Sequence, residues 1–122
     1  MSVVTEVKEN SIFFMDKGQQ VLRMTESIEK DDAQIELEGT LRGDTAYAFG
    51  DELITLALLK KNMTINMEKA TGLSSLCCSQ LLAVQQTIDN NEACSLKLVK
   101  LPDPLMEKLD ASGLSQLLQI EA

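Results

Sequence analysis

The stretch "MTINMEKATGLSSLCCSQLL", residues 63 to 82, changes its hydrophobic period partway along. Met63, Ile65 and Met67 alternate with polar neighbours, the two-residue period of a half-buried strand. From Leu73 the apolar positions Leu73, Cys77, Leu81, Val84 and Ile88 fall at spacings of 4, 4, 3 and 4, which draws one stripe down a helix. The stretch therefore predicts a strand, a glycine-containing loop and a helix in succession, the unit of α/β folds with helical crossovers. The helix is expected to stop near "DNNE", where Asn90 and Asn91 are good terminators.

Upstream, "VLRMTESIEK" reads as a strand, and the turn-prone Asp31 and Asp32 separate it from "AQIELEGTL". There Ala33, Ile35 and Leu37 alternate with Gln34, Glu36 and Glu38, so the two segments read as an antiparallel pair. Gly43 and Asp44 punctuate the chain, and Asp44 is expected to cap a helix through "TAYAFGDELITLALLKK". That helix would place Phe49, Leu53 and Leu56 on one face and Lys60 and Lys61 at its C-terminal dipole end. Downstream, "SLKLVKL" reads as another strand, and "PDPLMEKLDASGLSQLLQI" as a last helix that breaks at Gly113 before a short apolar segment. The expected order is β-β-α-β-α-β-α, an α/β fold whose mixed sheet begins with two antiparallel strands and continues through helical crossovers.

Residues 1–18 form an N-terminal extension to a single domain at 19–122. Its contiguous run "SIFFMDKG" fits no period and reads as an extra strand, a short helix or a contact for a homodimer. An exposed patch of Phe13 and Phe14 would mark a contact surface.

With 44% hydrophobic residues, 3% aromatics and no tryptophan among 122 residues, the core must be aliphatic. A net charge of -8 opposes nucleic acid and anionic membranes and favours a protein partner. No apolar run reaches the roughly 18 residues of a membrane span. "MSVVTEVKEN" also lacks the pattern of a signal peptide, so no membrane insertion and a cytoplasmic location are expected. Three cysteines, two of them adjacent, do not make a disulfide framework and are expected to be free thiols. The absence of histidine removes Ser-His-Asp and Cys-His catalysis and imidazole metal sites. No phosphate-binding glycine motif occurs either, so neither an enzyme nor a cofactor or metal is expected.

Residues 63 to 77, "MTINMEKATGLSSLC", follow without a gap a strand-to-helix pattern of the form V-V-L-D-L-S-G-V-T-F-I-D-S-S-G. On that stretch the chain resembles the STAS domain family of bacterial anti-sigma-factor antagonists. In this register Asn66 stands where an aspartate is usual, Ser74 replaces the aspartate of D-S-S-G, and Leu76 and Cys77 replace its second small residue and its glycine. Ser75 matches the serine that anti-sigma-factor kinases phosphorylate. "IELEGTL" is similar to the family's second strand, and "SLKLVKL" and "LDASGLSQLLQI" to its last strand and ending, so the resemblance covers about residues 20 to 120.

The resemblance implies a STAS-like fold and a non-enzymatic partner-switching regulator of transcription. Its unphosphorylated form would bind an anti-sigma factor or serine kinase, phosphorylation of Ser75, or as second choice Ser74, would weaken that complex, and a phosphatase would reverse it. Ser74, Ser75, Leu76 and Cys78 are the expected partner contacts. The alternative is a STAS scaffold or accessory subunit, never phosphorylated, in a signalling complex or lipid transporter.

Read as residues alone, the serines serve either as helix N-cap or as phosphoacceptor in a first turn whose unpaired N–H groups favour phosphate, and the roles can coexist. Cys77 lies on the apolar stripe and reads as small buried filler, with redox or metal chemistry as the weaker reading. The acidic residues Glu26, Glu29, Asp31, Asp32, Glu36 and Glu38 read as a solvated edge and turn, since their spacing matches no calcium loop.

Overall fold

The structure is a computed structural model that describes residues 4–8, 10–16, 19–41, 43–90 and 94–121. In chain order its elements are β1 (Val4–Lys8), β2 (Ser11–Asp16), β3 (Gln19–Glu29), β4 (Asp32–Leu41), α1 (Gly43–Leu58), β5 (Asn62–Leu73), α2 (Ser75–Asp89), β6 (Leu96–Val99), α3 (Asp103–Ala111), a 3₁₀ turn (Leu114–Gln116) and β7 (Gln119–Glu121). The strands form one 7-stranded sheet in the order β1-β2-β3-β4-β5-β6-β7. Strands β1 to β4 pair antiparallel, while β4 to β7 pair parallel through helical crossovers.

Because the parallel strands advance in one direction, right-handed crossovers carry all three helices to the same face. Burial agrees with this placement. Ala33, Ile35, Leu37, Met63, Ile65, Met67, Leu96 and Leu98 are buried against the helices, and Gln34, Glu36 and Glu38 stand exposed on the open face. The core is mostly aliphatic, but Phe14 and Phe49 are among its largest fully buried side chains.

The antiparallel β3–β4 pair, the helical stripe of α2 and the break at Gly113 follow the expected pattern. Several details differ. The β3–β4 hairpin turns on Lys30 and Asp31, with Lys30 at φ 57°, so Asp32 belongs to the strand and pairs with Glu29. Helix α1 begins at Gly43, which puts Asp44 inside its first turn and not at the cap; the side chain of Asp44 lies outside the described residues. Lys60 and Lys61 lie beyond the helix. Lys60 takes the left-handed conformation (φ 60°), and the two amides bond back to Ala57 (2.9 Å) and Leu56 (3.0 Å). That pattern closes α1 through backbone geometry, independent of lysine charge. Asn90 caps α2 in the right-handed conformation, and Asn91 lies outside the described residues. The terminal apolar segment adds β7 to the sheet edge.

The largest departure is β5, which is 12 residues long and runs through the expected loop to Leu73. Its pairing with β4 slips twice, so that Glu36↔Asn66 is followed by Glu38↔Lys69, and Gly39↔Ala70 by Thr40↔Gly72. Each slip inserts one extra residue into β5, which moves the buried positions from Met67 to Ala70 and then Leu73. The strand stays paired throughout, and the Thr40 and Thr71 hydroxyls meet at 2.8 Å.

In the N-terminal segment β2 divides the aromatic run between two faces. Phe14 is 1% exposed and joins the core, whereas Phe13 is half-buried on the open face with the Arg23 guanidinium 5.5 Å above its ring. Phe13 and Phe14 therefore form no exposed patch. Among the described residues no helix is long and apolar enough to cross a membrane.

Candidate functional site

Strand β5 ends in the core at Leu73, and the chain turns through one extended residue into α2. That residue is Ser74 (φ -75°, ψ 161°). Its N–H donates to the Leu41 carbonyl (2.8 Å), its Oγ accepts from the Cys77 N–H (3.1 Å), and its carbonyl accepts from the Cys78 N–H (3.0 Å). Ser74 is thus the N-cap, and it also pins the helix start to the end of β4.

Ser75 is the first helical residue and is exposed. Its carbonyl accepts from the Ser79 hydroxyl (3.3 Å), and its own hydroxyl makes no hydrogen bond among the described residues. Leu76 is half-buried against the core. The structure thus separates two serines that are adjacent in sequence: one hydroxyl is committed to the backbone and the other faces solvent.

Burial holds the two adjacent cysteines, Cys77 and Cys78, in the protonated form. Cys77 has 0% exposure, and burial, with a smaller contribution from Cys78, pushes its thiol up to about 12 against a partial opposing effect of Lys108. Cys78 is 5% exposed, and burial raises its thiol too, again opposed by Lys108. A thiol held neutral at physiological pH is a poor nucleophile. Among the described residues no group of three His, Cys, Asp or Glu side chains is placed to hold a metal ion.

Ser75 and Cys78 lie along a groove of about 310 Å³ between α2 and the end of α3, whose other lining residues are Ser79, Leu82, Lys108, Ser112 and Leu114. The α3 side of this groove carries no signal in the sequence, since Lys108 meets α2 only through the fold. Asn66, at the family's aspartate position, accepts the Glu68 N–H (2.9 Å) beside the first slip in β5.

A second polar feature lies away from this groove. Most of the acidic residues around the β3–β4 hairpin are exposed, and Glu36 pairs with Lys69 at 3.4 Å on the open face. Glu26 is different: it follows Leu22 and Met24 at two-residue spacing and therefore points to the helix side. There its carboxyl meets Glu52 of α1, and its Oε2 is buried without a hydrogen-bond partner. Burial first, then the hydrogen bond to Glu52 and its charge, raise the Glu26 carboxyl from 4.5 to about 7. The alternation in "LRMTE" carried the signal that one acid of the cluster faces inward.

No protein-family model and no curated protein matches the chain in sequence. Solved structures do match in three dimensions. The Thermotoga maritima protein TM1081 superposes with a TM-score of 0.70 at 13% identity, over 80% of this chain and 84% of its own. The Bacillus cell fate determinant SpoIIAA in its phosphorylated form gives 0.63 at 13% identity, over 81% and 91% of the two chains. The unphosphorylated form of SpoIIAA, an anti-sigma factor antagonist, gives 0.68 at 13% identity, over 81% and 88%. The STAS domain of an antisigma-factor antagonist from Rhodobacter sphaeroides gives 0.52 at 17% identity, over 66% and 87%. With the mixed sheet, its helices on one face and the capped step from β5 into α2, the chain has the fold of the STAS domains of anti-sigma-factor antagonists.

Proposed function

We propose that this protein is a partner-switching regulator that acts by binding another protein, and that Ser75 is its switch. The observation that carries this reading is the division of labour at the start of α2. Ser74 holds the cap, so the exposed Ser75 hydroxyl is free to be modified without loss of the helix. Two further points support it: solved structures with this fold are anti-sigma factor antagonists, and one of them is phosphorylated.

In the unphosphorylated state, Ser75 and the adjoining Leu76 meet an anti-sigma factor or an ATP-dependent serine kinase, with Cys78 contributing only the floor of the groove. In the kinase reaction Ser75 Oγ forms a bond to the γ-phosphorus of ATP, the bond from that phosphorus to the β–γ bridging oxygen breaks, ADP leaves, and the hydroxyl proton passes to a base on the kinase. The product carries roughly -1.5 to -2 additional charges. At a helix N-terminus that charge is tolerated by the fold, but a partner surface shaped for a neutral serine rejects it. A phosphatase resets the switch by hydrolysis. Catalysis therefore resides in the partners.

The test is incubation with candidate serine kinases and ATP, followed by mass spectrometry and binding measurements. Phosphate on Ser75, with partner binding lost in Ser75→Asp and kept in Ser75→Ala, supports the switch. Absence of phosphate, together with a Ser75→Asp protein that binds its partner as the parent does, overturns it in favour of a constitutive scaffold.

A further inference from the structure

Ser75 opens onto the groove between α2 and α3, and the polar groups along that groove are unequally occupied. The Ser79 hydroxyl donates to the Ser75 carbonyl (3.3 Å), and the Ser112 hydroxyl donates to the Leu109 carbonyl (3.1 Å). Among the described residues Lys108 is the one charged side chain lining the groove, and its ammonium makes no hydrogen bond or ion pair with any of them. It sits in the last turn of α3, close enough to α2 to draw both the Cys77 and Cys78 thiols back towards ionisation. The first turn of α2 contains no acidic residue that would compete for it. The same turn offers donors of its own: Ser74 takes the Cys77 and Cys78 amides, leaving those of Ser75 and Leu76 without an acceptor among the described residues.

We propose that Lys108 is the internal counter-charge for a phosphate on Ser75, pairing with it across the mouth of the groove and tying α2 to α3. This rests on Ser75 being the phosphoacceptor. A dianion added to a chain of net charge -8 meets repulsion from most directions, so one uncommitted cation beside it decides where it settles. A charge-assisted bond between phosphate oxygen and ammonium is shorter and stronger than a neutral one. Phosphorylation then acts twice: it places charge on the partner-facing residue, and it closes a groove that is open in the unmodified protein. The regulated surface comprises both helices, and Lys108 sets how completely the phosphate shuts it.

Phosphoserine installed at position 75 during translation bypasses every kinase, so this test is independent of whether a kinase modifies Ser75. The second ionisation of the phosphate is followed by ³¹P NMR against pH in otherwise parental protein and in Lys108→Gln, Lys108→Arg and Lys100→Gln backgrounds, Lys100 being an exposed lysine outside the groove lining. Loss of the ammonium in Lys108→Gln is expected to raise that pKa by about half a unit or more, roughly a threefold change in proton affinity. Lys108→Arg should hold the parental value, and Lys100→Gln should leave it unchanged. Equal values in the parent and Lys108→Gln overturn the pairing. A second measurement needs no variant at position 108: the Lys108 side-chain ammonium resonance should move when phosphoserine replaces Ser75, and an unmoved resonance also overturns the proposal.

Discussion

The junction of β5 with α2 and the contact of β3 with α1 each bring a polar residue into partly buried surroundings, and they treat it in opposite ways. At the first, the N–H, Oγ and carbonyl of Ser74 all have partners within 3.1 Å. At the second, Glu26 keeps a buried Oε2 with no partner and lies against a second carboxyl, Glu52. A group whose hydrogen bonds are all met recovers its desolvation cost, whereas an unpaired buried oxygen does not. The α2 start is therefore a settled platform on which Ser75 can gain or lose charge. The β3–α1 contact cannot change protonation without changing stability.

The most severe way to break this contrast is to remove the platform. Gly39 sits at φ 122° beside the second slip between β4 and β5, where an added Cβ would collide with the Val21 carbonyl oxygen. Gly39→Ala should cost roughly 2–3 kcal/mol, through strain at a left-handed position compounded by a backbone clash. Chemical denaturation at pH 7 checks this, and a midpoint equal to that of the parent would show that the register does not depend on the glycine.

Next in size is Glu26→Gln, which sharpens the contrast through pH. The folded state raises the Glu26 carboxyl from 4.5 to about 7, so between these values the unfolded chain releases a proton that the folded chain retains. Stability contributed by this group therefore falls as pH rises through that window, and the full penalty stands above pH 7. Gln removes the ionisation and can donate to Glu52. It should stabilise the protein at pH 8 by about 1–2 kcal/mol after allowance for solvent screening, and hardly at all near pH 4.5. Unfolding midpoints across that range measure it, and a difference between variant and parent that does not vary with pH rejects the carboxyl pair as its cause.

The two regions also differ in how much of them could be read from sequence. Strand β4 was legible because Ala33, Ile35 and Leu37 alternate without interruption, and α2 because Cys77, Leu81, Val84 and Ile88 keep a helical stripe. The second half of β5 was not, since two extra residues space its buried positions as Met67, Ala70 and Leu73, a rhythm that belongs to neither element. The closing of α1 by Lys60 was hidden because a left-handed lysine carries no compositional mark. At the candidate site a serine cap at the helix start was legible in "LSSLC", whereas the assignment of the cap to Ser74 and the exposure of Ser75 came from the folded geometry. Lys108 and the α3 wall of the groove were not, because they reach Ser75 only through the crossover that lays α3 beside α2. Glu26 lay between these cases, with its orientation implied by alternation and its partner Glu52 supplied by packing.

The smallest expected effects lie at the adjacent serines, and they test the platform most directly. Ser74→Ala removes the acceptor for the Cys77 amide and should cost about 1 kcal/mol, the usual loss for an N-cap serine. Ser75→Ala removes an exposed hydroxyl with no partner among the described residues, so its effect should stay within about 0.5 kcal/mol. Paired thermal melts give the comparison. Equal losses in the two variants would mean that Ser75 shares the capping role. In that case phosphate on Ser75 would disturb the helix start itself, and the switch would act by local unfolding instead of by surface charge. Unequal losses, with Ser75→Ala close to the parent, leave its hydroxyl as a group that the fold does not need.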